Sequence, residues 1–326
     1  MNQRPIFILG AHKSGTSLMR SLLDGHPHLF ALPLETHYFH FSHHWVDYDY
    51  RKQLPDNLPV EKIVKNLCEH VHYWNTVEDP YSDSIGKGLF NEERFHEYLS
   101  TLPSNATHKE ILEKYFEGIY YSVVGTELPS DIRIVEKSVE HAEFALNLYH
   151  FFPKAKFIHI IRNPYSNFVS FRKFKSVKYG YPLLPRILKS LYNSYYYLYK
   201  NKELIPEYFI LRYEDLVTHP SEVMKKVSDF LELEFKDILL TPTYMGKSWA
   251  GNSMSGERFE GISSSTLENW KKNIYPVEVY YLNRLFPFIF QEFNYEMMNI
   301  NGGFFRRAKG ENLKRYIYNR LFRIYL

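Results

Sequence analysis

The sequence predicts an α/β fold of three layers, with a central parallel sheet and a helical insertion after the first βα unit. Three observations carry this reading. Four short runs, Ile6 to Leu9, Ile132 to Glu136, Lys156 to Ile161 and Tyr208 to Tyr213, read as buried strands. Helix-like segments separate them, the alternation expected of a doubly wound parallel sheet. Directly after the first run comes GAHKSGTSLMR, Gly10 to Arg20, with two glycines, a lysine and three hydroxyl residues, leading into a helix near Thr16.

A strand that turns through glycines into a helix is a phosphate-binding device. Its backbone N–H groups and the positive end of the helix dipole face the same point. The spacing from Gly10 to Gly15 copies a Walker A loop, so the fold is P-loop-like. The lysine differs, because Walker A ends in Gly-Lys-Ser/Thr. Here Lys13 precedes Gly15, and Thr16-Ser17 follow it. The loop is therefore of another type.

Residues 40–130 are polar, aromatic and broken by Pro55, Pro59, Pro80 and Pro103. Glu61 to His72 and Lys109 to Tyr121 are the expected helices of an insertion that covers the site. The third run ends at Ile161, and Arg162-Asn163-Pro164 then opens a helix, with Pro164 at an early helical position. Ser170 lies about two turns along that helix. Arg162 falls at a strand end, where ligands of an open parallel sheet gather. Helices are also expected over Pro185 to Lys200 and Pro220 to Leu231. The tyrosines at 192 and 195–199 read as packing rather than a cofactor site.

Lys13-Ser14-Gly15-Thr16-Ser17-Leu18 resembles the 5′-phosphosulfate loop of sulfotransferases that use 3′-phosphoadenylyl sulfate (PAPS). Met19-Arg20, Leu22-Leu23, His26-Pro27 and Glu35-Thr36 extend the likeness, most of all to the tyrosylprotein and carbohydrate branches. The resemblance implies that Arg162 and Ser170 grip the nucleotide's 3′-phosphate. In FILRYEDLV, Phe209 to Val217, it places Tyr213 near the adenine. It places Lys137 of EKSVEH at the sulfuryl group, and Lys13 at the leaving 5′-phosphate. Glu35 matches the base of the tyrosylprotein branch, with His37 and His141 as rivals and as acceptor contacts. Ser263 to Ile274 resembles the segment that closes over the nucleotide, and Lys247 and Arg258 are further candidate phosphate contacts.

The implied reaction moves a sulfuryl group from PAPS to an acceptor hydroxyl and releases 3′,5′-ADP (PAP), with no metal. The acceptor stays open among a carbohydrate, a glycolipid and a peptidyl tyrosine. Two other readings remain: a P-loop kinase or NTPase, and a non-catalytic nucleotide-fold binding protein. His37, His40, His43 and His44 form a histidine cluster, but no cysteine or carboxylate completes a familiar zinc pattern.

Cys68 is the one cysteine, so no intramolecular disulfide forms. No signal peptide and no run of ~20 apolar residues is read, so a bacterial-type, cytoplasmic enzyme is expected. Residues 1–303 read as the catalytic domain and 304–326 as a basic amphipathic tail. That tail holds seven Lys/Arg against Glu311, so of the formal net charge of +3 it carries +6 and the rest −3. This is a local feature, not a nucleic-acid-binding domain. Its seam of Leu313, Ile317, Leu321 and Ile324 leaves two roles open: contact with the inner face of a membrane, or docking on protein.

Overall fold

The computed structural model describes residues 4–41, 58–77, 87–252, 257–300 and 302–322. Five parallel strands form the central sheet: β1 (Ile6–Gly10), β2 (Leu29–Ala31), β3 (Arg133–Lys137), β4 (Lys156–Ile161) and β5 (Tyr208–Arg212). Their order is β2-β3-β1-β4-β5, so β1 is central and its C-terminal end lies between those of β3 and β4. Pairing sets Ile8 beside Lys137, Gly10 beside Ile160 and Ile161 beside Arg212.

Every residue of β1, β3 and β4 is buried, as in a sheet covered on both faces. Side chains alternate between two cores. Ile6, Ile8, Val135, Ile158 and Ile160 face helices α1 (Thr16–Leu23), α9 (Tyr213–Thr218) and α10 (Pro220–Leu231). Phe7, Leu9, Ile134 and Phe157 face the inserted helices and α6 (Ala145–Phe151). A third core joins α7 (Pro164–Tyr179) and α8 (Leu184–Leu204) to α11 (Pro276–Leu285) and α12 (Pro287–Glu292). Tyr195 of the tyrosine-rich stretch is buried there against Phe286, centroids 5.1 Å apart.

The four expected strands are present, and β2 is an addition. It is three residues long, flanked by His-Pro-His and Leu-Pro, and its one strand partner is β3. No periodicity can show in so short an edge strand. The insertion therefore follows β2. It contains α2 (Tyr38–Phe41), α3 (Val60–Thr76), α4 (Glu92–Ser100) and α5 (His108–Val124). A capping box between Thr107 and Glu110 starts α5. Gly118 permits its tight crossing with α4, since a Cβ there would lie 2.6 Å from Leu99 Cδ1. A short antiparallel pair, β6 (Thr243–Tyr244) and β7 (Lys247–Ser248), and α13 (Leu313–Leu321) complete the chain. Among the described residues no helix is long and apolar enough to cross a membrane.

Phe7 joins sheet to insertion: its ring lies 5.3 Å from Phe157, 6.1 Å from Phe152 and 6.4 Å from Phe116. Phe7→Ala is expected to cost about 3–5 kcal/mol in denaturant unfolding, the usual range for emptying a closed aromatic core position.

Candidate active site

The C-terminal ends of β1, β3, β4 and β5 open into one cleft of about 350 Å³. The loop after β1 forms its floor. Lys13 takes a left-handed backbone (φ 64°), and so does Gly15 (φ 111°), the residue before α1. Glycine is required at 15, because a Cβ would sit 2.3 Å from Cδ2 of Tyr213. The Tyr213 ring therefore lies directly on the loop backbone, and it also borders the cleft. Lys13, Thr16, Ser17 and Leu18 line the cleft as expected. Ser14 does not. Its side chain is fully buried under Gly10, and its N–H closes a turn on the Ala11 carbonyl at 3.1 Å. The left-handed turn at Lys13 rotates the next side chain inward, so Ser14 shapes the loop rather than lining the site.

Arg162 follows β4 directly. Its Nη1 donates to the carbonyl of Lys13 at 3.1 Å, and its guanidinium lies 4.4 Å over the Tyr213 ring. Nε is buried with no hydrogen-bond partner, an orphaned donor at the edge of the cleft. The Asn163 side chain caps α7, accepting from the N–H groups of Tyr165 and Ser166 at 2.9 and 3.4 Å. Pro164 takes the first turn. Asn163 N–H donates to Glu214, which also accepts from the Tyr295 hydroxyl. Glu214 thus organises the turn after β5. Ser170 lines the cleft from the second turn of α7, and Lys173 joins it three residues on. Burial, then the charge of Arg172, pushes the Lys173 amine down from its usual range.

The opposite wall carries the acid–base groups. Lys137, the last residue of β3, is 1% exposed and donates to Glu35 Oε1 at 2.5 Å. Glu35 Oε2 lies 3.8 Å from His37 Nε2. The other nitrogen of His37, Nδ1, is bonded to buried Glu140 on the turn after β3. Burial works against the His37 cation, but the charge and hydrogen bond of Glu140, with Glu35 and Glu136 behind it, raise its pKa to about 9. Glu140 is held well below the usual carboxylate range: burial opposes this, and the His37 charge and hydrogen bond overcome it. The pair is an imidazolium and a carboxylate at neutral pH.

His141 is placed differently from the expected rival base and acceptor contact. It is completely buried outside the cleft, and its Nδ1 meets Glu136 Oε2 at 2.8 Å. Thr36 and Ser138 donate to the other oxygen of Glu136. Lys247 and Arg258 are exposed and lie outside the cleft lining. Ser263, Thr266, Asn269 and Trp270 do border it, so the late segment reaches the site. Glu35, His37 and Glu140 bring three potential metal ligands within 4.8 Å of one another. Lys137 already occupies Glu35 and would repel a cation. His43 and His44 of the histidine cluster lie outside the described residues.

Three site residues had no sequence signal. His12 lines the cleft, its imidazole held neutral by burial and then by Lys175. Trp74 arrives from α3, with Nε1 3.0 Å from His70 Nε2, which in turn lies 2.8 Å from the Glu35 carbonyl. Glu140 stood unassigned in the EKSVEH run. Lys173 was legible in principle, being one helical turn beyond Ser170.

The fold is shared with solved proteins. The sulfotransferase domain from the curacin biosynthetic pathway superposes with a TM-score of 0.60 at 23% identity, covering 90% of this chain and 99% of that one. The sulfotransferase domain from the Synechococcus PCC 7002 olefin synthase gives 0.52 at 18% identity, covering 87% and 95%. An uncharacterized protein of Aquifex aeolicus (strain VF5) is 24% identical over 277 residues, 83% of this chain. The chain spans 31% of that relative's length. A family model described as "Sulfotransferase family" matches residues 5–237. With that match over most of its length, the chain belongs to the sulfotransferase family.

Proposed function

We propose that this chain transfers the sulfuryl group of PAPS to an acceptor hydroxyl and releases PAP. The observation that supports it best is the convergence in one cleft of two sets of groups. Lys13, Arg162 and Ser170 form an anion site on the loop side, and the Lys137–Glu35 pair stands across from it. The donor set suits a nucleotide with phosphates at both ends: Lys13, Thr16 and Ser17 line the loop side of the cleft, and Arg162 Nε still lacks a partner. When bound, PAPS supplies an activated sulfuryl group on a phosphate leaving group.

The protein's part is positioning and charge. Lys13 and the N–H groups at the start of α1 balance the leaving 5′-phosphate, with Thr16 and Ser17 beside them. Arg162 and Ser170 hold the 3′-phosphate, and Tyr213 supports the loop and the base. Lys137 serves the sulfuryl oxygens, and Glu35 takes the acceptor's proton. His37 is already protonated at neutral pH and orients Glu35 rather than competing with it.

Residues 1–303 carry this activity in our reading, with the insertion as acceptor-side cover, supported by Trp74 of α3 at the cleft wall. The same wall fits an acceptor hydroxyl carried on a carbohydrate, a glycolipid or a peptidyl tyrosine, and Trp74 beside Glu35 favours an apolar or aromatic flank. A cytoplasmic setting fits the lone cysteine, Cys68, whose thiol is pushed up to about 11, first by burial and then by Glu69.

Thermal unfolding with PAP, ADP or ATP–Mg²⁺ tests the donor. A ligand at ~100 times its dissociation constant adds about 2.7 kcal/mol of stability. PAP is expected to stabilise well beyond ADP, whereas a response to ATP–Mg²⁺ alone would replace this reading with phosphoryl transfer. Arg162→Ala should weaken PAP binding roughly ten- to hundredfold, from the charged hydrogen bonds lost, and ADP binding far less. Equal losses would show that Arg162 does not read the 3′-phosphate.

Glu35→Gln should lower kcat by about 10²–10⁴ with PAP affinity little changed, the usual contribution of a general base. His37 gives a pH signature. Its cation is favoured in the folded chain, so its contribution to stability is complete below 6.5 and is lost as pH rises through about 9. The destabilisation caused by His37→Gln should therefore be largest near pH 6 and smaller at pH 9.5. A pH-independent difference in denaturant midpoint would contradict the ion pair with Glu140.

A further inference from the structure

Helix α13 is docked by its polar side. Asn319 accepts from Leu184 N–H at 2.9 Å and donates to the Pro182 carbonyl at 3.1 Å and to Glu311 Oε1 at 2.8 Å. Arg320 donates to the same Glu311 oxygen at 2.8 Å and to the carbonyls of Phe304 and Arg306. Arg315 donates to the Tyr181 carbonyl at 2.9 Å. Glu311 and Asn319 are buried to 2% and 0%. The described part of the apolar seam is left outside: Leu313 is 62% exposed, Ile317 47%, Leu321 73%, and nearby Phe305 71%, while Ile324 lies outside the described residues. The Tyr316 hydroxyl donates to the Phe305 carbonyl, which ties Phe305 to the helix. This amphipathic helix is inverted relative to one that packs on its own domain.

The charges around the seam have one sign. Arg306, Arg307, Lys309 and Lys314 are exposed. The only carboxylate of residues 304–322, Glu311, is buried against Arg320. Arg306, Arg307 and Lys309 line a surface hollow with Tyr275, Asn312 and Glu311, whose carboxylate is paired with Arg320, at the N-terminal end of α13, next to Leu313. Apolar side chains beside a basic hollow match the layering of an anionic bilayer surface, with headgroups outside and acyl chains beneath. A two-fold contact with a second copy would instead set these cations against themselves.

We propose that the α13 face, with the Arg306–Lys309 hollow, docks this protein on an anionic lipid surface. Leu313, Ile317, Leu321 and Phe305 enter the acyl boundary, and Arg306, Arg307, Lys309 and Lys314 meet the headgroups. The proposal uses none of the sulfuryl-transfer chemistry, so the two can fail separately.

Co-sedimentation of the full chain with vesicles decides it. One set is phosphatidylcholine alone and the other a phosphatidylcholine–phosphatidylserine mixture, each at low and high salt. Binding is expected to the anionic vesicles, and to weaken with salt. Lys314→Gln should lose about fivefold in partitioning, equivalent to the ~1 kcal/mol that one cation contributes near such a surface. Ile317→Asp should abolish most of the binding. Both positions are exposed, so melting temperatures should match the parent and exclude misfolding as the cause. Equal binding to both vesicle types, no binding to either, or partitioning indifferent to these substitutions would overturn the proposal. So would a concentration-dependent dimer that Ile317→Asp dissolves while vesicles bind nothing.

Discussion

The site depends on charges buried at the end of one strand. Glu136 and Lys137 end β3, and the turn after them carries Glu140 and His141; all four are at most 2% exposed. A buried charge without a partner costs several kcal/mol, and removing one partner of such a pair typically costs 3–5. Each charge here has its own partner: Glu136 with His141, Lys137 with Glu35, Glu140 with His37. Two of those partners, Glu35 and His37, come from the segment after β2. The edge strand and this wall of the cleft are thus fixed by the same pairs. This explains how a strand of three residues keeps its place. Leu29, Phe30 and Ala31 pair with β3, and a few residues on, the chain is bound to β3 again through charge.

The loop side is built on backbone rather than on paired charge. Lys13 and Gly15 both take left-handed conformations, which only a tight surrounding can hold at a lysine. Tyr213 fills the space that a side chain at 15 would need, and Arg162 lies over Tyr213 while bonding the Lys13 carbonyl. Arg162 therefore supports the loop, while its Nε is buried without a partner beside the cleft it lines. On the proposed reading, loop geometry and ligand recognition share one guanidinium. Lysine could not replace it, because a point charge cannot lie flat on the ring and donate in two directions.

Much of this was legible in the sequence, for identifiable reasons. The buried strands and the glycine loop are local patterns, and Pro164 after Arg162-Asn163 marks a helix start by its own stereochemistry. The helix from Pro220 to Leu231 ends where it was expected. What escaped depends on long-range partners. Ser14 looks like its neighbours in the motif, and only the left-handed Lys13 turns it inward. His141 looks as available as His37 in the chain, but Glu136 claims it in the core. The outward seam of α13 was equally hidden. Its periodicity is that of a docked helix, and only the partners of Asn319, Arg315 and Arg320 show that the polar face is the docked one.

In our reading the sulfuryl-group and nucleotide contacts come from strand ends, whereas part of the wall beside Glu35 comes from α3 of the insertion. The two differ in how they can change. Strand-end residues are bound into a sheet buried on both faces, so replacing them disturbs packing as well as chemistry. Trp74 lines the cleft from α3, whose His70 also meets the Glu35 carbonyl and the His37 ring. On the proposed reading, the cleft-facing side chains of α3 can vary while the sheet holds Lys13, Lys137 and Arg162, so an acceptor wall can diverge beside the transfer site. Glu35 lies at the boundary. Its carboxylate is held by Lys137 of the sheet, and its carbonyl lies against His70 of α3. A shift of α3 would reach Glu35 through that contact and through the His70 ring, 5.7 Å from the His37 ring, and the Lys137 pair opposes the shift.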